Sequence, residues 1–111
     1  MSTTAIDHVV AFKFREDVTE EEVKKFEEGI KSLIRCEGVL SVTVGKIIAE
    51  DYLQDRSQGA HYAIRVRLAD KAALKSYTND EYHEKIKKEC VGPLLAGPTI
   101  AFDWESEEVT K

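Results

Sequence analysis

His8, Tyr77 and His83 are the residues of this chain whose types and spacing suit chemistry. His8 stands in IDHVVAFKF, residues 6–14, on an alternating stretch that places it with Ile6, Val10, Phe12 and Phe14. Asp7, Val9, Ala11 and Lys13 take the other face. Tyr77 and His83 fall in SYTNDEYH, at helical positions that turn inward with apolar neighbours. An imidazole with an ordinary pKa of ~6.5 accepts a proton at neutral pH. A tyrosine hydroxyl donates to a carbonyl oxygen or to the enolate made from it. Such a pair suits proton abstraction beside a carbonyl, with no metal and no organic cofactor. One buried histidine or tyrosine alone is more often a core residue bonded to backbone, so these groups matter only if they converge.

Convergence depends on the elements that carry them. Thr19 suits a helix N-cap before Glu20, Glu21 and Glu22, whose charges favour the positive end of the helix dipole. Val23, Phe26, Ile30, Leu33 and Ile34 then recur at helical spacing to about Cys36, and Gly38 ends the segment in the left-handed conformation. In the second strand Leu40, Val42 and Val44 oppose Ser41, Thr43 and Gly45, with Gly45 expected at a bulge or a close backbone approach. AEDYLQDRSQG reads as a surface loop. The third strand sets Tyr62, Ile64, Val66 and Leu68 against His61, Ala63, Arg65 and Arg67, and His61 is expected on a dimer face or its rim.

Asp70 suits the cap of a short helix with the stripe Ala73, Leu74 and Tyr77. Asn79 or Asp80 restarts a helix in which Tyr82, His83, Ile86 and Cys90 share a face. VGPLLAGP breaks it, and TIAFDW forms a fourth strand with Ile100, Phe102 and Trp104 expected in the core. The first few residues and the tail ESEEVTK are expected to fray.

The order β-α-β-β-α-α-β is a split βαβ plan, an α+β fold with a four-stranded antiparallel sheet and all helices on one face. Val9, Ala11, Ala63 and Ala101 are expected on the other face, where small apolar side chains let a second sheet approach, so two copies should pair sheet to sheet as a symmetric homodimer. His8, Tyr62, Tyr77 and His83 then meet between sheet and helices, with Phe12 and Tyr62 as ligand-contacting walls.

Composition bounds the rest. At 111 residues the chain is one domain spanning residues 1–111, with its core over about 6–104 and a tail over 105–111. A net charge of -5 disfavours a nucleic-acid partner, which demands clustered Lys and Arg. No stretch reaches the ~18 apolar residues of a membrane span, and MSTTAIDHVV lacks a signal-peptide pattern. Cys36 and Cys90 sit at no metal-binding spacing, which makes reduced thiols and a cytoplasmic setting the expectation.

The chain resembles the stress-responsive A/B barrel family, of the dimeric α/β-barrel type with ferredoxin-like protomers. The resemblance is carried by DHVVAFKFREDVTEEE, by Gly45 with Lys46, by the glycine just before the third strand, by SYTNDEYH and by the closing FDW. It implies a small homodimer tied to stress response, many relatives having no known activity. The family's polyketide cyclases of the olivetolic acid type catalyse an aldol cyclisation in a cavity between sheet and helices. Their working tyrosine and histidine correspond to Tyr77 and His83, and their first-strand histidine to His8. If the chain is an enzyme, the resemblance implies a cyclase, isomerase or lyase. Three positions depart from it. His61-Tyr62 replaces a Thr-His pair, Asp80-Glu81 replaces a His-Pro step, and Val44 replaces a tryptophan. Some plant relatives bind magnesium through carbonyls whose counterparts lie near Leu33, Cys36 and Val39. Three carbonyls without a carboxylate hold a hard dication weakly, so no metal is expected.

Overall fold

The computed structural model describes residues 4–111. The expected fraying of the first residues lies, for residues 1–3, outside the described residues. Strand β1 spans Thr4–Phe12, helix α1 Glu20–Lys31, β2 Val39–Lys46, β3 Tyr62–Leu68, α2 Lys71–Thr78, α3 Glu81–Ile86 and β4 Ile100–Glu107. The strands form one antiparallel sheet in the order β2-β3-β1-β4, the split βαβ arrangement of an α+β fold.

Local signals account for the helix ends. The Thr19 hydroxyl accepts from the Glu22 backbone N–H at 3.1 Å, and the Glu22 carboxylate accepts from the Thr19 N–H at 3.1 Å, a reciprocal capping box. Asp70 accepts from Ala73 N–H at 2.8 Å, and Asp80 from His83 N–H at 2.9 Å. A 3-10 turn, Ser32–Arg35, finishes the first helix, and Gly38 takes φ +84° before β2. After α3 the chain widens into a π-helical turn, Lys87–Val91. That extra residue per turn keeps Cys90 and Val91 buried, with Cys90 so close to α1 that a Cβ on Gly29 would stand 2.9 Å from its Sγ.

The core lies between the sheet and the helices. Phe26 of α1 is fully buried among Phe12, Phe14 and Tyr62, with ring centroids 5.1, 5.1 and 5.7 Å away. Val66 and Leu68 are equally inaccessible.

Several expectations drawn from periodicity and residue type are corrected. Ile34 is exposed, because the 3-10 turn rotates it off the helical stripe. Leu40 is exposed too, because the register slips between Val39 and Ser41, leaving Val39 on the inner side with Val42 and Val44. Gly45 is not that irregularity: it pairs regularly with Ala63, and nothing stands within 4 Å of where its Cβ would be. In β4 the faces are reversed. Ile100, Phe102 and Trp104 pair with Ala11, Val9 and Asp7, so they lie on the outer face and stay exposed, while Ala101 turns inward. As an edge strand, β4 has little packed core beneath it, so its apolar residues go outward. The strand also runs on through Glu107, so Glu105–Glu107, taken as part of a frayed tail, pair with Ile6, Ala5 and Thr4.

The outer face therefore carries Val9, Ala11, Ala63, Ile100, Phe102 and Trp104, with a polar group beside them. Asp7 is buried there and accepts from Arg67 at 2.9 Å, and Arg67 donates to Ser106 Oγ at 2.8 Å. Removing one member of such a pair strands a buried charge. Phe26→Ala should cost ~3–5 kcal/mol of unfolding free energy, and Thr19→Ala ~1 kcal/mol, read by chemical denaturation. A Phe26→Ala loss below that of Thr19→Ala would contradict this placement of the core.

Candidate functional site between sheet and helices

A cleft of about 500 Å³ opens between the inner face of the sheet and the helices. Val10, Phe12, Ile64, Leu74, Ile86 and Val91 are among its apolar walls, and His8, Tyr77, His83, Asp103, Thr78 and Lys87 bring polar atoms to it. Such a volume with few polar groups is the usual form of a small-molecule site.

Each polar side chain is set by its own element. His8 projects from the middle of β1, and the antiparallel register puts Asp103 of β4 directly opposite. His8 Nδ1 lies 2.6 Å from Asp103 Oδ1. The His8 ring meets the Tyr77 ring edge-on at 5.9 Å, and the Tyr77 ring stacks on His83 with centroids 3.9 Å apart. His83 Nδ1 donates to the Tyr77 carbonyl oxygen at 2.9 Å, which leaves Nε2 with the free lone pair. His8, Tyr77 and His83 are thus brought together.

The surroundings tune these groups. Burial holds the His83 pKa below the ordinary imidazole value; the Tyr77 carbonyl opposes this, and Lys87 adds to it. His83 is therefore neutral at pH 7. Burial, aided by Cys36 and Asp80, raises the Tyr77 hydroxyl well above the ordinary phenol, so it keeps its proton. That hydroxyl is buried and finds no hydrogen-bond partner among the described residues. Burial and the nearby Asp80 carboxylate push the Cys36 thiol up to about 11. Cys36 and Cys90 are both buried and free, and a protonated Cys36 is a poor nucleophile.

Phe12 lines the cleft, but Tyr62 does not. Its ring is used in the aromatic cluster, 5.3 Å from Phe14 and 5.7 Å from Phe26, so the expected ligand contact there is withdrawn. His61 is exposed; its Nδ1 accepts from Phe14 N–H at 3.1 Å, away from the cleft. Asp103 was missed by sequence reasoning. Its signal was the alternation of FDW itself, obscured by assigning Phe102 and Trp104 inward.

The family model of the stress-responsive A/B barrel domain (Dabb) matches residues 6–106. The chain belongs to that family. No curated protein matches it in sequence. Among solved structures, the hydroxynitrile lyase of Passiflora edulis is 12% identical and superposes with TM-score 0.82, covering 96% of this chain and 97% of that one. The Arabidopsis thaliana protein At3g17210 is 19% identical, with TM-score 0.79 over 96% and 99%. A dimeric ferredoxin-like protein of unknown function from Thermobifida fusca is 16% identical, with TM-score 0.74 over 92% and 91%. At these identities the likeness establishes the ferredoxin-like fold. Among the described residues no helix is long and apolar enough to cross a membrane.

The carbonyls to which the resemblance assigns magnesium belong to the turn that ends the first helix. The Leu33 and Cys36 carbonyls accept from Cys36 and Val39 N–H at 3.0 and 3.2 Å, closing the turn on itself. Among the described residues no three His, Cys, Asp or Glu side chains cluster to hold a metal. A hard dication calls for more oxygen ligands than this turn offers.

The depressed His83 pKa has a sign for stability. As pH falls, the unfolded chain binds the proton first, so the stabilisation is complete above ~6.5 and is lost as pH drops through the lower folded value. Melting temperature should therefore fall more steeply for the wild type than for His83→Gln between about pH 8 and about pH 5. Equal slopes would contradict the neutral, desolvated state of His83.

Proposed function

We propose that the chain acts as a homodimeric stress-response A/B barrel protein that binds a small hydrophobic carbonyl compound in each protomer. One observation carries the reading: an apolar cleft of about 500 Å³ lined by His8, Tyr77 and His83, with the Tyr77 hydroxyl buried and unpaired behind its wall. A donor left unpaired in a dry site costs free energy that a carbonyl oxygen would recover. The exposed Ile100, Phe102 and Trp104, beside Val9 and Ala11, supply the apolar surface for a second copy, and dimeric proteins of this fold support that association.

The neutral His83 favours a second reading, a cofactor-independent cyclase, isomerase or lyase using a His-Tyr pair. The bond between a hydrogen and the carbon next to the carbonyl breaks, and the proton goes to His83 Nε2. The electron pair moves onto the carbonyl oxygen, which receives a hydrogen bond from Tyr77. His8 orients the ligand or holds a water. The same fold carries a lyase in Passiflora edulis.

Acetophenone is a suitable probe, its methyl carbon being adjacent to the carbonyl. Tyr77→Phe removes only an unpaired hydroxyl, so melting temperature should hold while acetophenone binding weakens by about tenfold. If the second reading holds, His83→Ala should slow deuterium uptake at that methyl group by ~10²-fold or more. Unchanged binding in Tyr77→Phe would refute the carbonyl role. For the dimer, Ala11→Glu or Ala63→Glu should give a monomer or an aggregate in sedimentation. A well-folded, unperturbed dimer in both variants would refute sheet-to-sheet pairing.

A further inference from the structure

The outer face of the sheet carries unequal charge at its centre. Among the side chains that the paired strands turn to that face, Asp7, Arg65 and Arg67 are the charged ones. Arg67 is fully used: it donates to Asp7 at 2.9 Å and to Ser106 Oγ at 2.8 Å, and both ends of that ion pair are buried. Arg65 is not. Its Nε lies 3.7 Å from Asp7 Oδ1, too far for a hydrogen bond, and its Nη2 reaches only the neutral Ser41 Oγ, at 3.4 Å. Two arginines thus share one carboxylate, and the Arg65 side chain stays 37% exposed.

The position of Arg65 gives that excess a consequence. It is the middle residue of β3, an inner strand, with Val9 of β1 and Thr43 of β2 opposite it. A second sheet laid on this face covers Arg65 instead of leaving it at the rim. Two copies then take two uncompensated positive charges out of water, and their strands bring no further carboxylate to meet them. Enclosing an unpaired charge is costly, and setting two like charges together adds to the cost. An anion between them removes both penalties, and a guanidinium fork fits two oxygens of an oxyanion at once.

We infer that the interface between two copies holds a small oxyanion, such as inorganic phosphate, bound by Arg65 of both. The inference rests on the sheet-to-sheet homodimer proposed above.

Calorimetric titration of inorganic phosphate into protein dialysed against sodium chloride tests it, with sedimentation giving the mass in both salts. The wild type should bind one phosphate per two chains. Arg65→Gln removes the excess charge, so it should remain dimeric and bind phosphate about tenfold more weakly or worse. Because Arg65 makes no short hydrogen bond, the variant should fold, and a circular-dichroism melt checks that it does. A wild-type dimer that binds no phosphate, or binds one per chain, would overturn the shared site whatever the variant does. Undiminished binding by folded Arg65→Gln would overturn the role of Arg65. A wild type that is monomeric in both salts would instead overturn the sheet-to-sheet dimer, and this inference with it.

Discussion

The register of β1 between its two neighbours is the constraint on which the site depends. β1 pairs with β3 on one side and β4 on the other, so every residue along it has two opposite partners. Because side chains alternate with period two, a slip of one residue would send His8 to the outer face and Asp7 to the inner one. Both faces resist that slip. On the inner face Phe12 is locked against Phe26, with ring centroids 5.1 Å apart. On the outer face Asp7 meets Arg67 at 2.9 Å. The slip would bury the Asp7 charge without its partner, among the strongest penalties available to a strand.

That register also sets which strand residues reach the cleft. His8 and His83 are the same side chain in different surroundings, one backed by a carboxylate from a strand and the other by a helix carbonyl. The helix carbonyl can only accept, so His83 gives it the Nδ1 hydrogen and keeps Nε2 free. Burial adds the second ingredient, keeping His83 neutral and the Tyr77 hydroxyl protonated at pH 7. The polar groups come from β1, α2, α3 and β4, and the apolar residues between them hold the cleft open. Selectivity in such a site comes from a few placed hydrogen bonds inside an otherwise apolar wall.

Much of this was legible in the sequence because the signals were strong and local. The alternation of IDHVVAFKF placed His8 inward, and helical spacing placed Tyr77 and His83 on stripes facing it. Thr19, Asp70 and Asp80 announced their helices by capping chemistry. The largest failure has a simple cause: periodicity tells which residues share a face but not which face is covered. β4 shows this most clearly, since Ile100, Phe102 and Trp104 do share a face, the exposed one. Reading them as core hid Asp103, the partner of His8. Leu40 and Ile34 failed for a different reason, a register slip and a 3-10 turn that break the period locally. Tyr62 was placed inward correctly, yet its use by the Phe14 and Phe26 rings is a packing outcome that no spacing reveals.

A cleft whose polar groups are both aligned and unsatisfied differs from a core that merely tolerates them, because a satisfied core leaves no atom waiting for a ligand. The imidazole nitrogens test that distinction most directly. A long-range proton–nitrogen correlation spectrum of the neutral protein resolves three histidines, His8, His61 and His83. His83 should show a protonated Nδ1 and a bare Nε2, and the ring-nitrogen resonances of His8 and His83 should move when acetophenone is added while those of His61 stay still. An Nε2-protonated tautomer at His83, or resonances unmoved by the probe, would contradict a ligand site at this cleft.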